Sequence, residues 1–150
     1  MSESTLERLL LDCYGIQSDV EFLQGLWEQH IEIDQSTLEP SDWARLEEII
    51  PDIGEKDWPD LWFAFVDAAL ELKIEGKTSI NWSGEQSQDL SEVFVVLTTG
   101  GPHIEIVADC KKNRLEVRGY WSTESCTVQI DAESLYDHMY YYGEEMLSIR

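Results

Sequence analysis

The side chains best suited to catalysis or metal binding are three histidines and three cysteines, and they are scattered along the chain. They are His30, His103, His138, Cys13, Cys110 and Cys126. None forms an HxH, HExxH, CxxC or Cys–His spacing, which are the local patterns of metal sites and activated thiols. The odd number of cysteines favours reduced thiols over a disulfide framework. We therefore predict no catalytic residue, no metal and no cofactor.

Carboxylates are the other candidates for chemistry. The 150 residues include 31 acidic and 10 basic ones, for a formal net charge of −21. Two neighbouring carboxylates can serve as general acid and base, but in so acidic a chain such pairs occur by chance and identify no reaction. An enzyme whose carboxylate, cysteine or histidine site is assembled only by the fold stays an alternative.

The negative charge excludes several classes of partner. It repels the phosphate backbone of nucleic acids and the surface of anionic membranes. No stretch approaches the ~18 apolar residues of a membrane span, and residues 1–15 lack the basic start of a signal peptide. We expect a cytoplasmic protein that binds neither nucleic acid directly nor a membrane.

The densest acidic stretch, residues 42–60, is a candidate binding surface. It holds seven carboxylates against Arg45 and Lys56. On a helix this is one carboxylate in about 4 Å of axis, from the rise per residue, which is comparable with the phosphate spacing of ~3.4 Å along one DNA strand. Such a surface would fit a basic groove that normally holds nucleic acid. The alternative is a solvated surface that only keeps the protein soluble.

Aromatic residues lie beside these acids and near the end of the chain. Tryptophan and tyrosine accompanied by a few charges are typical of interface hot spots. Three consecutive tyrosines at positions 140–142 cannot all lie on one helical stripe, so we expect at least one on the surface. The predicted partner-binding residues are Asp42, Trp43, Glu47, Glu48, Asp52, Glu55, Asp57, Asp60, Tyr140, Tyr141, Glu144 and Glu145.

The elements that must position these residues divide the chain into two halves. Residues 1–75 carry 19 acidic and 4 basic residues, for −15, whereas residues 76–150 carry −6. Apolar residues in the first half recur at helical spacing. They predict a helix that ends near Gly15, a second from Ser18, a third capped by Ser41 or Asp42, and a fourth over residues 61–72 that is the most buried.

The second half alternates apolar and polar residues as antiparallel strands do. We predict four strands joined by turns at Gly100-Gly101, at Lys112-Asn113 and at residues 122–125, with residues 74–82 an irregular strand or linker and residues 85–89 a loop. A one-residue slip would expose the apolar face, so the pairing is defined. The predicted partners are Val93 with Ala108, Val95 with Ile106, Ile106 with Gly119, and Gly119 with Val128.

This order predicts one α+β domain over residues 1–150. N-terminal helices pack on a four-stranded antiparallel meander sheet, and a C-terminal helix follows Asp131 and ends near Gly143. The outer face of the sheet carries Phe94, Val96, Val107 and Tyr120, more apolar area than a solvated face needs. Either the C-terminal helix covers it, or a partner does, with a homodimer as one form of that contact.

The overall profile is small, acidic, cytoplasmic and α+β, without a catalytic motif. This profile is similar to that of inhibitory proteins that block nucleic-acid-binding enzymes, such as the anti-restriction and anti-CRISPR proteins of phages, and to that of immunity proteins that neutralise basic bacterial toxins. The similarity covers no aligned residues. It implies an inhibitor that binds the basic surface of a nucleic-acid-processing protein, with an immunity protein or a small cytosolic enzyme as the alternatives.

Overall fold

In a computed structural model, helices lie on one face of a five-stranded antiparallel sheet, which confirms the α+β class. The structure describes residues 4–30, 33–55, 57–80, 82–99 and 101–149. None of the helices in these ranges is long and apolar enough to cross a membrane. The elements are α1 (Thr5–Gln29), α2 (Pro40–Ile49), α3 (Leu61–Asp67), β1 (Glu71–Ile80), β2 (Gln86–Thr98), β3 (His103–Asp109), β4 (Arg114–Trp121), β5 (Glu124–Ile130) and α4 (Glu133–Ile149).

The sheet is a meander in the order β1-β2-β3-β4-β5, so the prediction of four strands is wrong by one. β1 forms at the end of the predicted fourth helix, which stops at Asp67 instead of residue 72. The Leu70 amide donates to the Val96 carbonyl at 2.9 Å, and from there the chain pairs with β2. β2 starts at Gln86 and therefore includes most of the predicted loop over residues 85–89. Residues 86–89 are polar and show no apolar alternation, so the sequence pattern indicates a loop there although the chain continues as a strand.

The predicted break between the first two helices is also wrong, because α1 runs without interruption through Gly15. A glycine inside a helix costs about 1 kcal/mol relative to alanine. The apolar stripe that α1 buries against the sheet outweighs this cost; its fully buried members are Leu9, Cys13, Val20 and Leu23. α2 likewise begins one residue before the predicted caps, with Pro40 in the first turn, where proline loses no hydrogen bond.

Both long helices lie on the inner face of the sheet, α1 over β4 and β5 and α4 chiefly over β2. Two glycines permit this close approach. A Cβ atom on Gly119 would lie 2.8 Å from side-chain atoms of α1, and one on Gly143 would lie 2.7 Å from Leu90 and Val93. α4 passes through Gly143 instead of ending there. Because α4 lies on the inner face, the prediction that the C-terminal helix covers the outer face is wrong.

The strand alternation is confirmed, but two registers differ from the prediction. Val93 pairs with Ala108 and Val95 with Ile106 as predicted. Ile106 instead pairs with Val117, and Gly119 with Cys126, a shift of two residues in each hairpin. A two-residue shift keeps every side chain on its face, so the hydrophobic pattern cannot detect it. Gly100 of the predicted turn at Gly100-Gly101 lies outside the described residues. Lys56 of the acidic stretch also lies outside them.

Candidate functional site

A groove of about 1020 Å³ lies where the end of α1 meets the segments that flank α2. Its lining includes three tryptophans, four carboxylates and His30. Among the described residues that line it there is no lysine or arginine. We call it the tryptophan groove, and define it by Trp27, Trp43, Trp58, Glu28, Asp34, Asp57 and Asp60.

Trp27 is held in place by the core while part of its ring stays in solvent. Its ring centroid lies 6.2 Å from that of Trp62. Trp62 is 1% exposed, and its indole donates to the Ser134 hydroxyl of α4 at 2.9 Å. Trp27 itself is 38% exposed. The packing of α1, α3 and α4 therefore fixes an accessible indole face at the groove.

A tight turn after α1 positions Asp34. Its Oδ1 atom accepts hydrogen bonds from the backbone amides of Ser36 at 2.7 Å and Thr37 at 3.1 Å. The hydroxyl of Ser36 also donates to this oxygen, and these bonds lower the pKa of Asp34. The carboxylate is therefore ionised throughout the neutral range, and the turn holds it at one position on the wall.

The segment after α2 folds back over that helix and supplies the opposite wall. Trp43 is 8% exposed, and a Cβ atom on Gly54 would lie 3.3 Å from its ring, so the chain crosses the indole closely. The Trp58 indole donates to the Asp52 carbonyl at 3.3 Å. Trp43 thus forms a buried part of the lining, while the half-buried Trp58 lies nearer to solvent.

Asp60 ends this segment and has two roles within the chain. Its Oδ1 atom accepts from the Phe63 amide at 3.0 Å and caps α3. Its charge also acts on His138 of α4, whose ring lies 4.7 Å from that of Phe63. Burial lowers the pKa of His138, and the charge of Asp60 partly opposes this shift.

Arg45, the one basic residue of α2, is used to dock that helix on α1. Its guanidinium carbon lies 4.3 Å from the centroid of the Phe22 ring, and a guanidinium nitrogen lies 3.5 Å from a carboxylate oxygen of Asp19. The same nitrogen donates to the Ser18 hydroxyl at 3.1 Å. Burial raises the pKa of Asp19, and Arg45 opposes that shift. An aromatic ring and a carboxylate thus hold a guanidinium beside α2.

The groove gathers only part of the predicted binding residues, namely Trp43, Asp57 and Asp60. Four others are exposed outside its lining, and Asp42 is half-buried there. The predicted residues of α4 also lie elsewhere, with Tyr141 69% exposed. Tyr140 is half-buried beside Tyr136, with ring centroids 6.2 Å apart. The exposed predicted residues outside the groove are Glu47, Glu48, Asp52, Glu55, Tyr141, Glu144 and Glu145.

On the outer sheet face, in contrast, carboxylates pair with basic side chains of the same sheet. Arg118 on β4 lies 2.8 Å from Glu92 on β2 and 2.6 Å from Glu116. Burial lowers the pKa of Arg118, but the hydrogen bond to Glu116 and the charge of Glu92 outweigh this, and the net shift is upward. His103 lies 3.0 Å from Glu105 on the same face. We call Arg118, Glu92 and Glu116, together with the neighbouring pair of His103 and Glu105, the Arg118 network.

The apolar residues of the outer face are buried beside this network. The Arg118–Glu92 pair joins β4 to β2 and therefore passes over β3. Val107 on β3 is 0% exposed, and Val96 and Phe94 on β2 are 1% and 9% exposed. Phe94, Val96 and Val107 are thus shielded from solvent, whereas Tyr120, the fourth residue of the predicted apolar patch, is 41% exposed.

Cys13 and Cys110 are poor candidates for a catalytic thiol. The sulfur atoms of Cys13 and Cys126 are 3.4 Å apart, and burial together with Cys126 raises the pKa of Cys13 to about 12. Burial also raises the pKa of Cys110. A nucleophilic cysteine needs the opposite shift, because the thiolate is the reactive form. Across the described ranges, no group of three or more histidine, cysteine or acidic side chains is placed to hold a metal ion.

The chemistry of the tryptophan groove favours a cationic ligand. Aromatic faces attract cations through their quadrupole, and carboxylates bind guanidinium and ammonium groups through charge-assisted hydrogen bonds. Comparison of the chain with protein-family models, with curated proteins and with solved structures finds no match. Function is therefore inferred from the groove itself.

Proposed function

We propose that the protein is a cytoplasmic acidic inhibitor that binds the basic, nucleic-acid-binding surface of a partner protein. The observation that carries this proposal is the tryptophan groove, a concave site with three indoles, four carboxylates and no lysine or arginine in its described lining. Aromatic anchors surrounded by charge are typical of the residues that contribute most to protein–protein affinity.

The charge around the groove supports the same proposal. Glu47, Glu48 and Asp52 are exposed on α2 and the turn after it, and the whole chain carries −21. Such a surface speeds the encounter with a basic partner and makes association sensitive to salt. By occupying that surface, the protein would exclude nucleic acid both sterically and electrostatically.

The test begins with proteins captured from cells that produce this chain. Each captured protein is purified, and its affinity is measured from low to high salt and in competition with a DNA duplex. We expect affinity to fall steeply with salt and the duplex to compete. An affinity that does not change with salt, or simultaneous binding of the duplex and this protein, contradicts the proposal.

Charge reversal then locates the contact. Glu47→Lys, Glu48→Lys and Asp52→Lys together should weaken binding to the captured protein without unfolding, because all three side chains are exposed. The matched control reverses three exposed carboxylates of the sheet, through Glu75→Lys, Asp89→Lys and Glu124→Lys, for the same change in net charge. Equal weakening by both triple variants would show that only net charge matters.

The identity of the captured protein separates the proposed inhibitor from the immunity protein. A basic enzyme that processes nucleic acid inside the same cell supports the inhibitor. A secreted toxin supports the immunity protein, which would use the same acidic surface. A protein without a basic surface contradicts both.

A further inference from the structure

We infer that the tryptophan groove is the anchor site for an arginine side chain of the partner. The guanidinium would lie against an indole face and pair with Asp57 or Asp60. This inference rests on the proposed function, because it names the chemical group by which the basic partner is held.

The lining of the groove selects a cation among the possible occupants. Anionic groups are repelled by its four carboxylates, and an apolar segment would remove these charges from water without pairing them, which is costly. A cation gains from both parts of the lining, the indole faces and the carboxylates. The volume of about 1020 Å³ is at the upper end of ligand pockets, so the side chain can enter together with part of its backbone segment.

The same molecule already shows how it holds an arginine. Arg45 lies over the Phe22 ring at 4.3 Å and 3.5 Å from Asp19, and this contact docks α2 on α1. The groove offers the same two elements, an exposed indole at Trp27 and carboxylates at Asp57 and Asp60. A planar guanidinium stacks on aromatic rings and pairs with carboxylates through two hydrogen bonds, whereas an ammonium is a more strongly hydrated point charge. Arginine is therefore favoured over lysine.

The experiment compares three peptides of equal length, hexa-arginine, hexa-lysine and hexa-citrulline, as probes of the full chain. Citrulline keeps the shape of arginine but lacks its charge. We expect hexa-arginine to bind about tenfold more tightly than hexa-lysine, and hexa-citrulline not to bind measurably.

Two variants with equal changes in charge locate the effect. Asp57→Asn with Asp60→Asn removes two groove charges, and asparagine preserves the cap of α3 because it caps helices as well as aspartate does. Glu47→Gln with Glu48→Gln removes two exposed charges outside the lining. The groove variant should weaken hexa-arginine binding about tenfold and abolish its advantage over hexa-lysine. The α2 variant should weaken both cationic peptides roughly twofold and keep the advantage.

The outcomes separate this inference from the function on which it rests. Equal losses in the two variants, or no preference for arginine over lysine in the native chain, overturn the anchor site. The proposed function survives that result if the captured partner still binds in a salt-dependent way that the duplex competes with. Retention of native circular dichroism by both variants is the check that the losses arise from binding.

Discussion

The outer sheet face and the tryptophan groove use carboxylates in opposite ways. On the sheet, Arg118 lies between Glu92 and Glu116. At the groove, none of the described ion pairs involves a lining carboxylate. The first surface pairs its carboxylates with cations of its own chain, whereas Asp34 and Asp60 at the groove accept backbone N–H groups and take part in none of the described ion pairs. Net charge alone, however large, does not distinguish these two situations.

Secondary structure explains the difference. Cross-strand neighbours in an antiparallel sheet lie within reach of long side chains, so one arginine on β4 can serve carboxylates on two strands. The segments around the groove are not paired strands, so they do not place a cation opposite each carboxylate. Arg45, the basic residue of the neighbouring α2, contacts Asp19 and Phe22 instead. The sheet charges therefore contribute to folding, and the groove charges are expected to contribute to binding in addition to the turn and the helix cap that Asp34 and Asp60 stabilise.

The largest expected effect comes from removing the centre of the Arg118 network. Arg118→Met leaves Glu116, which is 7% exposed, without its cation. Breaking such a pair on one side typically costs 3–5 kcal/mol when it is buried, and because these side chains are partly exposed we expect about 3 kcal/mol. Urea unfolding measures the change. Adding Glu116→Gln should recover part of the loss, and a cost below about 1 kcal/mol would contradict a structural role for the network.

A smaller effect tests why both long helices lie on the inner face. Gly143→Ala places a Cβ atom 2.7 Å from Leu90 and Val93. We expect a loss of roughly 1–3 kcal/mol from overpacking, although alanine is the better helix former. Gly15→Ala is the matched control, because nothing lies within 4 Å of its Cβ position. It should stabilise the chain by up to about 1 kcal/mol. If Gly143→Ala were also stabilising in urea unfolding, the close packing of α4 on β2 would be wrong.

The smallest effect is electrostatic and involves His138, which is influenced by the charge of the groove residue Asp60. Burial lowers the pKa of His138 below its ordinary value of 6.5, so the unfolded chain binds this proton more readily than the folded one. This contribution to the free energy of unfolding should therefore decrease as the pH falls below 6.5. Asp60→Asn should lower the pKa of His138 further, because the carboxylate favours the protonated ring. NMR titration of the His138 ring in the native chain and in the variant measures the two pKa values, and equal values would contradict the electrostatic effect of Asp60.

The sequence predicts the faces of the central strands better than their partners. Alternation identifies Val95 and Ile106 as inner residues, but it repeats every two residues and cannot detect the shift that pairs Ile106 with Val117. The turns that set this register include Asn113 and Ser122 at φ values of 52° and 58°, positions that glycine favours and where no glycine marks the turn.

The tryptophan groove is only partly predictable for a different reason. Its acidic stretch is visible in the composition, and Trp43, Asp57 and Asp60 are among the predicted residues. Trp27 and Asp34 join them because α1 ends beside the segment after α2. The one available signal was a tryptophan and a histidine, Trp27 and His30, at the end of a helical apolar stripe. Long-range packing, which no local pattern encodes, supplies the rest.

The indole N–H signals of the six tryptophans allow the most direct test, since three lie at the groove and the exposed Trp82 and Trp121 do not. Hexa-arginine is titrated into the isotope-labelled chain, and the six signals are followed by NMR. If the groove carboxylates are available to a cation, the signals of Trp27, Trp43 and Trp58 shift first and most. Shifts that are equal at all exposed indoles, or larger at Trp82 and Trp121, would contradict the account.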